Sequence, residues 1–248
     1  MVAVTIANTL GAMQIGSTLA VFLFGIVTLQ LDTYIQLFSD DKWFLKLTVA
    51  TVWSLELAHT ICVAAEAYRG TITFYGRIAA YQRYPLMGAA TLLGGLITCV
   101  VQCFFCLRVW KALPNPLRYI GAVCGAAAIV RAIGSVFLGS RVIIAKTLAE
   151  YRQANGWLIR ALLISGTSID VIIAASMLYF LLKKRNSGFS TTTRLVDRLV
   201  AYTVRTGLLT SITAILVLVT FEVFPETFIW VGIYVFLAKL YSNSLLSA

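Results

Sequence analysis

Seven runs of mostly apolar residues follow one another along the chain, at residues 10–36, 44–67, 85–108, 117–139, 158–182, 199–223 and 227–247. Leu, Ala, Gly and Ile fill them continuously, without the period-two alternation of membrane β-strands, so helices are expected. A bilayer core about 30 Å thick needs roughly 20 apolar residues per helical crossing. The pattern therefore predicts an all-α protein, a single domain over residues 1–248, folded as an integral membrane bundle of seven transmembrane helices. Ser39-Asp40-Asp41, Pro114-Asn115-Pro116 and Pro225-Glu226 read as tight stops between antiparallel neighbours. The segment Tyr68 to Tyr84 mixes three arginines with Phe74, Tyr75, Tyr81 and Tyr84. That composition suits either a belt in the headgroup layer or a lid over an outer cavity.

Composition agrees: 60% of the residues are hydrophobic, only 12% are charged, and the mean hydropathy is +0.88, against about 25% charged in a soluble domain. The net charge of +10 does not point to nucleic acid, because the basic residues sit mainly between spans, where they orient helices and meet anionic membrane lipid. With the N-terminus outside, ten basic residues face the cytoplasm and seven face the other way. Lys183-Lys184-Arg185 follows a span directly, which predicts a cytoplasmic C-terminus and offers a surface for a cytoplasmic partner. Met1 to Asn8 carries no Lys or Arg, so the first span is expected to act as the membrane signal, with no cleavable leader. Trp43, Trp110, Trp157 and Trp230 lie near span ends, as expected of interfacial anchors. Gly121 and Gly125 mark a close-packing face on the fourth helix, and Gly207 another on the sixth.

Candidate chemistry lies in the ionisable residues inside the spans. A charge at the bilayer centre costs about 2.5 to 3.5 kcal/mol on insertion scales and requires a partner or a wet cavity. Glu56, Arg131, Asp170 and Lys239 all fall near mid-span. On the second helix Glu56, His59, Val63 and Glu66 share one face, and Glu56 and His59 are close enough along it to share a proton or to present a joint polar surface. Gln102 is the strongly polar interior residue of the third span. The ligand-binding candidates are thus Glu56, His59, Gln102, Arg131, Asp170 and Lys239, with Glu56, His59 and Asp170 the catalytic candidates.

No cofactor or metal is expected. A lysine in a seventh helix raises retinal attachment, but the third span supplies no carboxylate counter-ion. Cys99, Cys103 and Cys106 share a helix face, yet they lack a nearby histidine or second cysteine pair and read as packing residues, as do Cys62 and Cys124. The pair Glu56-x-x-His59 is half of a di-iron carboxylate pattern whose second half is missing.

Leu10-Gly11, Phe24-Gly25-Ile26 to Gln30, Asp41-Lys42-Trp43-Phe44-Leu45-Lys46, Glu56-Leu57-Ala58-His59-Thr60, Gln102 to Trp110, Asp170, Gly188-Phe189-Ser190, Thr206-Gly207-Leu208-Leu209-Thr210-Ser211 and Lys239-Leu240-Tyr241-Ser242-Asn243-Ser244-Leu245-Leu246 are spread over nearly the whole chain. On these motifs the chain resembles a family of uncharacterised multi-spanning membrane proteins of mushroom-forming (basidiomycete) fungi, catalogued as a domain of unknown function. The resemblance implies the seven-helix fold and a fungal membrane, and it brings no activity. Arg205 departs from the small or amide residue usual before Thr206-Gly207, and relatives usually continue into a polar tail.

Three functions are compatible with these features. One is receptor-like or transporter-like binding of a small lipophilic ligand or ion in a polar midplane cavity. Another is a membrane-embedded enzyme of terpenoid cyclase or isomerase type with Glu56 as general acid. The third is a structural membrane protein whose charges only hold helices together. The orientation is testable at once: a tag before Met1 is expected to be labelled from outside intact cells and a tag after Ala248 is not. Labelling of the C-terminal tag would reverse the topology, and labelling of both would give an even number of spans.

Overall fold

The computed structural model describes residues 5–77, 80–185 and 192–247 and, within these, the side chains of all but residues 181, 184–185 and 192–206. Seven α-helices follow in order among them: α1 (Ala12–Leu37), α2 (Trp43–Tyr68), α3 (Pro85–Ala112), α4 (Tyr119–Ile144), α5 (Leu148–Arg185), α6 (Thr192–Val223) and α7 (Ile229–Leu246). Single π-helical turns, Ala7–Gly11 and Arg69–Thr73, lead into α1 and out of α2. Six helices are long and apolar enough to cross a membrane, and α6 carries an apolar stretch over Gly207–Val223. The side chains of Lys184, Arg185 and Arg205 lie outside the described residues, and Lys183 is exposed.

The surface is inverted relative to a water-soluble fold. Val123, Val130 and Ile133 of α4 are each more than 65% exposed, while Glu56, Glu66, Lys239 and Ser242 have no exposed surface at all. Apolar side chains turned outward and charges turned inward are what a hydrocarbon solvent selects. The chain is accordingly an integral membrane protein whose helices cross repeatedly.

Neighbours in sequence are neighbours in space, and α1 closes the ring against α7. Within that ring α3 also touches α5 and α7, and α7 also touches α2, so these two helices form the axis of the bundle. They can sit there because small residues let backbones meet where no hydrophobic force separates lipid from protein contacts. A Cβ on Gly139 would stand 2.7 Å from the carbonyl of Gly88, and one on Gly121 would stand 2.6 Å from that of Cys106, which joins α3 to α4. Gly16 and Gly232 abut in the same way between α1 and α7. The expected packing role of Gly121 is thus observed, whereas Gly125 makes only an ordinary contact, 3.8 Å to Cys106 Cβ. Gly207 lies against α5, where a Cβ would be 3.3 Å from that of Ala174.

Two expectations need correction. The connector expected over residues 140–157 shrinks to residues 145–147, because α4 runs on to Ile144 and α5 begins at Leu148. Hydropathy locates the lipid-immersed part of a helix and is blind to its polar extension. In that extension Tyr151 is buried and Arg152 Nη2 donates to the carbonyl of Phe221 at 3.2 Å. Trp230 is also not an interfacial anchor. It is buried, edge-on to Phe221 with ring centroids 5.2 Å apart, whereas Trp43 and Trp157 are largely exposed.

Substitution of Gly16 by Ala is expected to push α1 off α7 and lower the melting temperature in detergent by several degrees. Gly25→Ala, on the same helix with nothing within 4 Å of the added methyl, should leave it unchanged or slightly raised, since Ala is the better helix former. Equal melting temperatures for the two variants would mean that the α1–α7 backbone contact carries no stability.

Candidate functional site

The buried polar groups fall into three networks, and α7 contributes to two of them. Residues three apart on a helix share a face, so Lys239 and Ser242 both turn toward α2. There Lys239 Nζ pairs with Glu56 Oε2, donates to the Glu56 carbonyl at 3.1 Å and donates to Thr60 Oγ1 at 2.7 Å. Ser242 Oγ donates to Glu56 Oε1 at 2.6 Å. All three ammonium protons and both carboxylate oxygens are engaged, and the ring of Phe24 lies 5.4 Å from the ammonium, a favourable cation–π distance.

His59 is buried beside this pair. Its Nδ1 has no hydrogen-bond partner among the described residues, and no hydrogen bond joins it to Glu56, whose carboxylate is held by α7 instead. The expected proton-sharing pair on α2 is therefore not formed. The imidazole packs beside Gly94, where a Cβ would make an ordinary contact 3.6 Å from His59 Nε2.

Tyr241 points the other way along α7, into the second network. Its hydroxyl donates to Asp170 Oδ2 at 2.6 Å, Thr210 Oγ1 of α6 donates to the same oxygen at 2.8 Å, and Gln102 Nε2 of α3 donates to Asp170 Oδ1 at 2.9 Å. The other end of the Gln102 amide accepts from Arg131 Nη1 at 3.1 Å, and Arg131 Nε donates to the Leu162 carbonyl at 3.0 Å. Asp170 and Arg131 thus meet through one amide and not directly. Three helices, α3, α6 and α7, are fastened to Asp170 of α5, and a fifth, α4, joins through Gln102.

The third network surrounds Glu66, one turn below the end of α2. Its Oε2 accepts the backbone N–H groups of Leu86 and Met87 at 2.8 and 3.1 Å, and its Oε1 accepts from Arg69 Nη1 at 2.9 Å and from the Tyr81 hydroxyl at 3.1 Å. α3 starts with Pro85 and has no side-chain cap of its own, so a carboxylate from the preceding helix satisfies its free amides and complements its dipole. Burial, reinforced by the Glu66 carboxylate, pushes the Tyr81 hydroxyl well above its usual range and Tyr84 to about 12. Both remain protonated donors at physiological pH. Sequence reasoning placed Glu66 on the inward face but missed the cap, whose only local sign is a helix opening Tyr84-Pro85-Leu86-Met87 without Ser, Thr, Asp or Asn.

A cavity of about 90 Å³ lies between α3, α4, α5, α6 and α7. Its lining runs from Gln82, Tyr84 and Thr147 at the end of the bundle where the chain begins, past Leu138, Leu163 and Val231, to Arg131. The segment after Tyr68 therefore walls this cavity through Gln82 and Tyr84, while Tyr81 is buried over Glu66. A second cavity, of about 20 Å³, touches Gln102, Asp170, Thr210 and Tyr241. The six expected site residues do not share one cavity. Arg131 lines the larger, Gln102 and Asp170 line the smaller, and Glu56, His59 and Lys239 line neither. The five cysteines are free thiols, with Cys106 and Cys124 in the core.

Residues 166–248 match a family model described as a family of unknown function (DUF6534). No curated protein and no solved structure matches the chain. The matched third contains Asp170, Thr210, Lys239, Tyr241 and Ser242, one side of each midplane network, while Glu56, Gln102 and Arg131 come from the part before it.

Lys239→Met strands a buried carboxylate and is expected to cost about 3–5 kcal/mol. Adding Glu56→Gln to Lys239→Met should restore much of that loss, so that the double variant melts above the lysine variant alone. Strictly additive losses in thermal unfolding would show that the pair is not a coupled unit.

Proposed function

We propose that this polytopic membrane protein is a receptor-like binder of a small lipophilic ligand, held in the cavity that ends on Arg131. The observation that carries the reading is the cavity itself: it is lined mostly by apolar side chains, with Arg131 among the few polar ones. Concave apolar sites with a few convergent polar groups are the usual form of small-molecule sites. In this reading all seven helices span, the N-terminus lies outside, and the cavity opens outward or toward the outer leaflet.

Receptor-like behaviour is favoured over simple storage by what Arg131 touches. A ligand that moves its guanidinium also moves Gln102, and through Gln102 the carboxylate of Asp170 that fastens α5, α6 and α7. The C-terminal end of α5 carries Lys183, Lys184 and Arg185, the proposed surface for a cytoplasmic partner. Rocking transport has less support, because Glu56 and Lys239 lock α2 to α7 across the bundle. The enzyme reading has less still: Glu56, its acid, has both oxygens occupied and lines neither cavity.

Leu163→Trp should fill the cavity from its buried apolar wall. Lipid extracts of the purified parent are expected to contain a small lipophilic compound that extracts of the folded Leu163→Trp variant lack. Identical extracts from both, with the variant melting like the parent, would refute binding at this site.

A further inference from the structure

Two hydroxyl groups in the wall of the larger cavity are unspent. Tyr151 of α5 and Ser135 of α4 both line it, are 6% and 7% exposed, and make no hydrogen bond among the described residues. Other hydroxyls of the same wall are committed within the protein. Tyr84 donates to the Tyr81 carbonyl at 3.1 Å, Thr91 donates to the Met87 carbonyl at 2.9 Å, and the Tyr234 hydroxyl bonds Thr91. Unlike Trp230 Nε1, which is fully enclosed, the Tyr151 and Ser135 oxygens each keep some exposed surface. The space that both residues border is the cavity.

A hydroxyl can donate one hydrogen bond and accept two, and burying it with none is costly. Water alone answers that need poorly here. A buried water takes about three polar partners, and most of this lining is apolar, with Leu138, Ile159, Leu163, Val217 and Val231 among it. Charge sets a second condition. Arg131 is the charged residue of the lining among the described residues, and Asp170 balances it through Gln102. A carboxylate or ammonium head would add a charge with no partner in the wall, which a membrane interior disfavours. A neutral oxygen adds none.

We propose that the cavity takes a neutral lipophile whose hydroxyl or carbonyl oxygens pair with the hydroxyls of Tyr151 and Ser135, while its hydrocarbon lies on the apolar wall. This rests on the cavity-binding reading above and adds the ligand class.

The test uses the full chain in phosphatidylcholine nanodiscs and follows tritiated decanol by equilibrium dialysis, with empty nanodiscs as the blank and with decanol, decane and decanoate as unlabelled competitors. The parent is expected to hold decanol in excess of the blank. Unlabelled decanol should displace it at concentrations at least about fivefold lower than decane or decanoate needs, the worth of one net hydrogen bond. Tyr151→Phe with Ser135→Ala removes two oxygens and no internal hydrogen bond, so the double variant should melt like the parent and bind decanol no better than decane. The comparison within the parent decides the matter even if that variant does not fold. Equal displacement by decanol and decane in the parent, or a preference for decanol that survives in the folded double variant, would overturn the oxygen assignment and leave cavity binding standing. Stronger displacement by decanoate would overturn the neutral head equally. No decanol above the blank would remove the cavity reading itself.

Discussion

Hydrocarbon does not tolerate an unpaired charge, and the pairing of Lys239 with Glu56 is how this bundle meets that constraint across the greatest distance in sequence. The two residues are 183 positions apart, one on α2 and one on α7, so the ion pair fixes the rotation and the height of the last helix against the second. Ion pairs of this kind are not strong sources of net stability, because desolvation offsets attraction. Their strength is as a constraint: any other register of α7 leaves a lysine and a glutamate in lipid. Once α7 is set, Tyr241 is aimed at Asp170, and the small residues Gly232 and Gly16 come together between α7 and α1. The position of α3 follows from the other side, through Gln102 and through the cap that Glu66 places on its first turn.

The two midplane networks differ in a way that matters for function. The Glu56 carboxylate and the Lys239 ammonium are fully engaged by each other and by Thr60 and Ser242, and neither residue lines either of the two cavities described above. The Asp170 carboxylate is also satisfied, but its network extends through one neutral amide to Arg131, which lines the larger cavity. One network is therefore closed on itself, and the other ends in a residue that lines a cavity. Four charged residues at one depth suggested a single cavity, and the structure divides them by helix face into a closed pair and an open relay.

The helices were legible in the sequence because lipid imposes one simple rule, roughly 20 apolar residues per crossing, and the runs obey it. Glu56, Asp170, Arg131 and Lys239 stood out because each breaks that rule. Their partners were harder to read. Thr60 and Ser242 look like ordinary small polar residues, which are common in membrane helices and satisfy themselves on their own backbone. Only the crossing of α2 and α7 shows that they complete the coordination of a lysine and a glutamate. The polar start of α5 was missed because its helicity rests on contacts such as Arg152 with Phe221, which no hydropathy window registers. Of the charged candidates Arg131 lines the larger cavity and Asp170 the smaller, while Glu56 and Lys239 line neither, since sequence shows which residues are buried and not which of them meet space.

The separation of Glu56 from Lys239 has a consequence for biosynthesis. Helices enter the membrane in order as the ribosome extends the chain, and at roughly 5–20 residues per second the lysine is made about 10 to 40 s after the glutamate. Through that interval α2 carries a carboxylate whose permanent partner does not exist, and a proton, water or the insertion machinery has to shield it. The α2–α3 hairpin has no such delay at its end, because Glu66 finds the amides of Leu86 and Met87 only about 20 residues later. Nascent α2 is thus complete at its C-terminal turn long before it is complete at its middle, and α7 is the helix that releases it from its escort.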